Sequence, residues 1–403
     1  MLLIYRTPDL DLIDHQALDE IEALRARLLP FIRTPRTWLG GLRRSAQAKA
    51  IQGSNSIEGY EVSAADALAA VDDDEPMSTD ELTWAEIVGY RRVLTYVLHA
   101  AADTDFRLDG HTLRTMHFML LEHDLAKSPG RYRVGEIFVE REGTGERVYE
   151  GPDAKQVPEL VNALTASLDS DPSTPPLVRA AMAHLNLVMV HPFRDGNGRM
   201  ARALQTLVLA REHPAEPIFD SIEEWLGANT DDYHRVLALT GAGSWHPERD
   251  AHLWVKFCLR AHHMQAQTVA RRFDEAQVVG EHLLTLVTEH GLPERTLDPL
   301  FEAAMGLRVR RPGYVRRSGV EERTASRDLA ALAQAGLLEA QGNTRGRYYT
   351  AAGRIRDVAT ESRRRRPRLT DPYPGLLDQI GAGVRALQSE VVDGTTARSG
   401  MPG

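Results

Sequence analysis

Apolar residues recur at steps of three and four over most of the chain, a spacing that predicts helices. Leu18, Ile21, Leu24 and Leu28 share one face of a first helix, which Pro30 is expected to end. A second stretch, Leu42–Ile51, leads into Ser54-Asn55-Ser56-Ile57-Glu58-Gly59, and the polar run Asp72-Asp73-Asp74-Glu75-Pro76 breaks the pattern. Helical spacing returns over Leu82–Ala101, with Ile87, Tyr90, Val93 and Val97 on one face, and over Leu108–Leu121. The period then shortens. Ile137-Phe138-Val139 and Val148-Tyr149 flank the turn-rich run Arg141 to Glu146, which predicts a small β-hairpin inside a helical domain. Helices resume near Val157. Pro175-Pro176 precedes Leu177–Val190, which is apolar on nearly every side and belongs in a core. Two further helical stretches are expected between Asp250 and Glu289. Leu297–Ala352 reads as short helices followed by a Gly-containing hairpin. The rest, with Arg363 to Arg366 and a Gly/Ser/Thr-rich end, predicts a charged, partly flexible tail. No internal repeat is visible.

A chain of 403 residues, 42% hydrophobic and 26% charged, fits two or three soluble globular domains of mostly α class. The one cysteine, Cys258, excludes an intramolecular disulfide or a cysteine-based metal site, and its apolar surroundings suit a buried small hydrophobe. The N-terminus lacks a signal-peptide core, and no apolar run approaches the roughly 18 residues of a membrane helix, so a cytoplasmic protein with no membrane partner is expected. The net charge of −9 is uneven. Sixteen Lys/Arg stand against six Asp/Glu between Leu307 and Thr370, a local balance of +10 on an acidic body. Two modules with different partners are implied.

The densest chemical signal is His191-Pro192-Phe193-Arg194-Asp195-Gly196-Asn197-Gly198-Arg199-Met200-Ala201-Arg202, between the apolar helix and the next one. Gly196 and Gly198 let backbone N–H groups approach an anion, and the helix start favours negative charge. Arg199 and Arg202 lie three apart and can face one side of the first turn. Asp195 offers a hard oxygen suited to Mg²⁺, and His191 a base. Base, metal ligand, anion cradle and phosphate clamps within twelve residues point to phosphoryl chemistry.

This run resembles the Fic family signature, His-Pro-Phe-x-Asp/Glu-Gly-Asn-Gly-Arg-x-x-Arg, at every fixed position. The resemblance, over roughly residues 40 to 275, implies the Fido fold and transfer of AMP from ATP to a Ser, Thr or Tyr hydroxyl of a protein, self-modification included. It makes His191 the general base, Phe193 the anchor of the loop and Asp195 the ligand of Mg²⁺. Gly196, Asn197 and Gly198 become the anion hole, Arg199 a phosphate clamp and Arg202 the partner of the γ-phosphate. Asn229 and Tyr233 fall where the family contacts adenosine. The hairpin resembles the family's flap, and Gly130-Arg131-Tyr132-Arg133 its lead-in. His184, two helix turns before the loop, reads as a satisfied buried histidine.

Ser54-Asn55-Ser56-Ile57-Glu58-Gly59 resembles the family's inhibitory motif at an N-terminal helix, which implies that Glu58 pairs with Arg202 in place of a γ-phosphate. Whether Glu58 also directs a water for AMP removal stays open at this level. Residues from Leu297 to Ala352 resemble a winged helix-turn-helix, with Arg323, Thr324 and Arg327 on a recognition helix and Arg345 and Arg347 in the wing. DNA is thus a candidate partner of residues 290–352, although Glu321 and Glu322 oppose it. The implied division is an N-terminal helical region with the inhibitory motif (1–75), a Fic core (76–285), a winged helix (290–352) and a charged tail (353–403). The competing reading is a DNA-binding transcriptional regulator whose Fic domain senses nucleotide.

Overall fold

In the computed structural model the described residues are 4–34, 36, 38–140, 145, 147–170, 173–212, 217–343, 346–364 and 366–398. Helical periodicity becomes α1 (Leu12–Arg33), α2 (Leu39–Ile57), α3 (Ala64–Val71), α4 (Glu81–Ala100) and α5 (Gly110–Leu121). The hairpin β1 (Phe138–Glu140) and β2 (Arg147–Glu150) follows, then α6 (Val157–Ser170), α7 (Pro176–Val190) and α8 (Asn197–Glu212). After these come α9 (Glu223–Ala228), α10 (Thr230–Gly241), the two-residue β3 (Gly243–Ser244) and α11 (His252–Glu289). The C-terminal part holds α12 (Leu297–Ala304), α13 (Arg311–Ser318), α14 (Glu322–Gln334), the antiparallel pair β4 (Leu338–Gln341) and β5 (Tyr348–Ala351), α15 (Gly353–Arg364) and α16 (Leu376–Arg398). The molecule is mostly helical, as the sequence implies.

Asp11 caps α1, Ser63 α3, Asp80 α4 and Asp109 α5, each side chain accepting from a first-turn N–H. Centrally, α7 packs on α8, and the buried faces of α4, α5, α6 and α11 close around the pair. Only Pro176, Arg179 and Val188 of α7 escape full burial, which is why its sequence shows no polar face.

Four expectations change. Pro30 does not stop α1, which continues to Arg33. A proline so near the helix end forfeits one backbone bond, and Phe31 packs on Phe273 of α11 (ring centroids 5.9 Å apart) to hold the last turn. The two stretches expected after Asp250 are one 38-residue helix, α11, with apolar contacts along its length. The hairpin strands are offset slightly from the predicted runs, and β2 also pairs in parallel with β3 through Tyr149↔Gly243. The turn residues 141–144 and 146 lie outside the described residues. The expected tail forms α15 and α16. Ile355, Ala359, Tyr373, Leu376 and Ile380 are buried, and Arg260 of α11 grips Asp371 through two nitrogens. Arginine density hid this sparse apolar stripe.

Helix α2 is the element that positions the site. One end meets α12, where Trp38 stacks on Phe301 (6.3 Å, 23°), and the other carries Glu58 into the centre of the molecule. Between them α2 crosses α9 backbone to backbone. A Cβ on Gly53 would lie 2.2 Å from the Glu223 carbonyl oxygen, and one on Gly227 2.6 Å from Gly53 Cα. Gly53→Ala must therefore push the two helices apart. We expect a lowered denaturation midpoint for the full chain and a loss of about 1–3 kcal/mol, measured by urea unfolding.

Candidate active site

The loop begins where α7 ends. His191 is its C-cap in the left-handed region (φ 49°), its N–H bonded to Leu187 O. Its Nδ1 lies 2.9 Å from the Val188 carbonyl oxygen. A carbonyl only accepts, so Nδ1 carries the hydrogen and Nε2 keeps a lone pair. Burial lowers the imidazole pKa from 6.5, against the Val188 bond that favours the charged form. His191 is thus neutral at pH 7, with its basic nitrogen free of any protein partner among the described residues.

Three groups fix the loop. Asn197 accepts from Phe193 N–H and donates to Phe193 O, both at 2.9 Å, so its side chain is consumed by the loop and only its backbone N–H remains for an anion. Phe193 is fully buried, as an anchor requires, and stacks on His117 (3.8 Å, 6°). His117 Nδ1 accepts from Gly130 N–H (2.9 Å), so its Nε2–H donates to Asp195 O (3.0 Å). Its pKa is pushed down to about 4 by burial, which keeps that tautomer neutral. Arg133 reaches the carbonyls of His191 (2.8 Å), Gly135 (2.8 Å) and Pro152 (2.5 Å), tying loop and hairpin together. Tyr149 of β2 donates to Met189 O (2.8 Å), holding the hairpin beside His191.

Both arginines of the first turn of α8 are 1% exposed. Arg199 pairs with the fully buried carboxylate of Glu86, which also accepts from Tyr60 Oη (2.8 Å) and Lys127 Nζ (2.9 Å). These partners hold Glu86 down to about 2, although its burial works upward. Arg202 donates through Nε to Ser54 Oγ (2.8 Å) and through Nη2 to Ser54 O (2.9 Å) and Glu58 Oε1 (2.6 Å). Burial raises the Glu58 pKa, but the charges of Arg202 and Arg199 outweigh it and the net shift is downward from 4.5. The same Glu58 oxygen lies 2.5 Å from where a Cβ on Gly198 would stand. Only glycine admits a carboxylate there. Arg202 Nη1 is buried without a hydrogen-bond partner.

Asp195 accepts from Gly196 N–H (2.6 Å) through Oδ1 and from Lys127 Nζ (2.8 Å) through Oδ2. Gly196 sits at φ 74° with Leu120 against its α-carbon, a turn that favours glycine. The two remaining expected contacts fall differently. Asn229 is half-buried and donates to Trp225 O (2.7 Å). Tyr233 is 1% exposed, its ring against His184 and Trp254. Its hydroxyl is 2.9 Å from His184 Nε2. Burial pushes its pKa up to about 12, against the lowering pull of the Arg202 charge. His184 is the satisfied buried histidine expected, its Nδ1 on Gln205 Oε1 (2.6 Å). Sequence reasoning missed Glu86, His117 and Lys127. Glu86 alone carried a signal, a carboxylate on the otherwise apolar Ile87–Tyr90–Val97 side of α4.

An imidazole with a free Nε2, a partly exposed carboxylate and two buried guanidiniums thus surround a helix start in a helical scaffold. Residues 107–209 match the model of a family described as Fic/DOC family. A protein adenylyltransferase Fic of Nematostella vectensis is 28% identical over 209 residues, covering 51% of this chain and 47% of the relative. A protein adenylyltransferase of Caenorhabditis elegans is 36% identical over 97 residues, 24% of this chain and 18% of the relative. The chain thus spans less than half the length of these relatives. The crystal structure of a Fic family protein from Desulfovibrio desulfuricans aligns with a TM-score of 0.54 at 22% identity, over 87% of this chain and 99% of that one. Family model, relatives and solved fold together support the Fic/Fido domain family.

His117→Ala should loosen the loop without touching a ligand. It strands the Gly130 N–H and the Asp195 carbonyl, and a buried group left unpaired costs about 1–3 kcal/mol. The expected outcome is faster hydrogen exchange at the Gly130 amide together with a lowered unfolding midpoint.

Proposed function

We propose that the chain is a protein adenylyltransferase that moves AMP from Mg·ATP to a Ser, Thr or Tyr hydroxyl, restrained by Glu58. The observation that carries this reading is the Glu58 carboxylate lodged between Gly198 and Arg202. An anion already occupies the place where the loop would take a terminal phosphate, beside an Arg202 Nη1 with no other bond. The names of the relatives support AMP as the group transferred.

The residues divide the work. His191 Nε2 accepts the hydroxyl proton as the oxygen attacks the α-phosphorus; the new P–O bond replaces the bond to the β-phosphate, and pyrophosphate leaves. The free N–H groups at the start of α8, with Arg199 and Arg202, face the charge that builds on the phosphate oxygens. Asp195 suits a divalent ion: one partly exposed carboxylate beside a phosphate site is how Mg²⁺ is commonly held. When bound, that ion would neutralise charge on the α- and β-phosphates. The edge strand β1 offers unpaired backbone to an extended target segment. Among the described residues no helix is long and apolar enough to cross a membrane.

A second reading concerns residues 290–352, where three helices precede a two-stranded hairpin, the order of a winged helix. Arg323 and Arg327 stand exposed on α14 outside any ion pair among the described residues, and Arg347 lies over Tyr349. Arg345 lies outside the described residues. We propose that this face contacts DNA phosphates. Much of the basic balance is spent elsewhere, however: Arg295 holds Asp328, Arg316 holds Asp74, and Arg317 holds Asp298 and Glu302.

Incubation with α-labelled ATP should label protein, γ-labelled ATP should not, and His191→Ala should reduce transfer by roughly 10²–10⁴-fold. Stable γ-label would mean a kinase and end the proposal. Glu58→Gly should raise transfer well beyond twofold, and little in an Arg202→Ala background, measured as a double-mutant cycle. Since His191 works deprotonated and burial lowers its pKa from 6.5, kcat/KM should fall with pH only below that value. An acid limb centred above pH 7 would contradict the base assignment. For the full chain on duplex DNA, Arg323→Ala with Arg327→Ala should reduce the slope of log K against log salt by about 2.

A further inference from the structure

Lys127 has no part in the signature loop, yet its ammonium touches both carboxylates that organise it. Nζ is 2.8 Å from Asp195 Oδ2 and 2.9 Å from Glu86 Oε1. The side chain is aimed by a built bend. A single 3-10 turn, Leu125–Lys127, is capped by Asp124 and stopped by Ser128 in the left-handed region (φ 56°). Asp195 does not need the lysine for its orientation, because its other oxygen is fixed by the Gly196 N–H. What Lys127 contributes is charge, on the one carboxylate oxygen left for a metal.

Charge bookkeeping over the site gives this weight. Three carboxylates, Glu58, Glu86 and Asp195, face three cations, Arg199, Arg202 and Lys127, with His123 Nε2 also 3.3 Å from Glu86 Oε1, while burial lowers the pKa of His117 and of His191. The site is balanced without any ion. A dication arriving alone would bring two positive charges into a partly desolvated cluster beside Lys127 and Arg199. A dication arriving with a polyphosphate brings its own compensation.

We propose that Lys127 is a built-in countercation for Asp195, which fills the metal's position while nucleotide is absent and so makes divalent-ion binding depend on the nucleotide. This rests on the reading of Asp195 as the metal ligand. Lys127 acts through that carboxylate and is a positioning residue rather than a catalytic one. On nucleotide binding its ammonium swings from Asp195 toward Glu86 alone, where it already has a partner.

The test is Mn²⁺ binding to the full chain, followed by the electron paramagnetic resonance signal of the free ion, with no turnover required. Without nucleotide, Lys127→Met should bind Mn²⁺ at least about tenfold more tightly than the parent, because a unit charge in contact with the ligand is removed. Lys127→Arg should stay at the parent's affinity, and Asp195→Asn should abolish the gain. With a non-hydrolysable ATP analogue the parent should approach the Lys127→Met affinity. Lys127→Gln serves as the second neutral variant, should the Met protein fold poorly. An affinity of the neutral variants within about twofold of the parent, or a gain that survives Asp195→Asn, would overturn the proposal, since a merely structural ion pair predicts lower stability and unchanged metal affinity. The analogue arm separates the two readings. If analogue-dependent Mn²⁺ binding by the parent is lost in Asp195→Asn, the assignment of Asp195 stands whatever Lys127 does.

Discussion

Arg199 and Arg202 enter the first turn of α8 almost wholly out of water, at the helix end whose dipole is already positive. Burying one guanidinium without a partner costs several kcal/mol, and here two lie a single turn apart. The surroundings read as the answer to that demand. Glu86 supplies one carboxylate from α4, Glu58 supplies another from the end of α2, and Ser54 accepts from Arg202 Nε and Nη2 through its hydroxyl and carbonyl oxygens. With both carboxylates in place, the two guanidiniums are neutralised within the fold itself.

The loop was legible because its chemistry is contiguous: twelve residues carry base, turn, clamp and anchor, and the apolar helix before them announces a core. His191, Asp195, Gly198, Arg199 and Arg202 all come together with Glu58, which lies far away in sequence but was marked by its own short motif. The supporting residues were hidden for a physical reason. His117, Lys127 and Glu86 act through backbone carbonyls and through one another, so no local spacing records what they touch. Tyr233 was marked by a family position alone, and what its spacing did not record is its burial and its contact with His184. Helix boundaries failed where packing overrode a local signal, at Pro30 and along α11, and the C-terminal helices failed because arginines outnumbered their apolar stripe.

The basic charge of the C-terminal part also reads differently once folded. Arg44 on α2 pairs with Glu302 on α12 and lies 3.5 Å from Asp72, while Arg317 on α13 meets Asp298 (3.1 Å) and Glu302. Glu302 is 2% exposed, and its pKa is pushed up to about 7 by burial against the pull of both arginines. A composition count treats such arginines as free surface charge. In the fold they are the mortar between the C-terminal helices and the N-terminal ones.

The backbone contact of Gly53 with Gly227 turns α2 into a rod resting on a fulcrum. Glu58 lies five residues beyond it and Arg44 nine before it, arms of about 7 Å and 14 Å at 1.5 Å per residue. With no side chain between the two backbones, the rod can rock there more easily than it can slide. Any rocking is geared: the short arm over Arg202 moves about half as far as the long arm held by Glu302 and Asp72. The carboxylate over the loop therefore moves less than the far end of the rod, where Arg44 is held by Glu302 and Asp72.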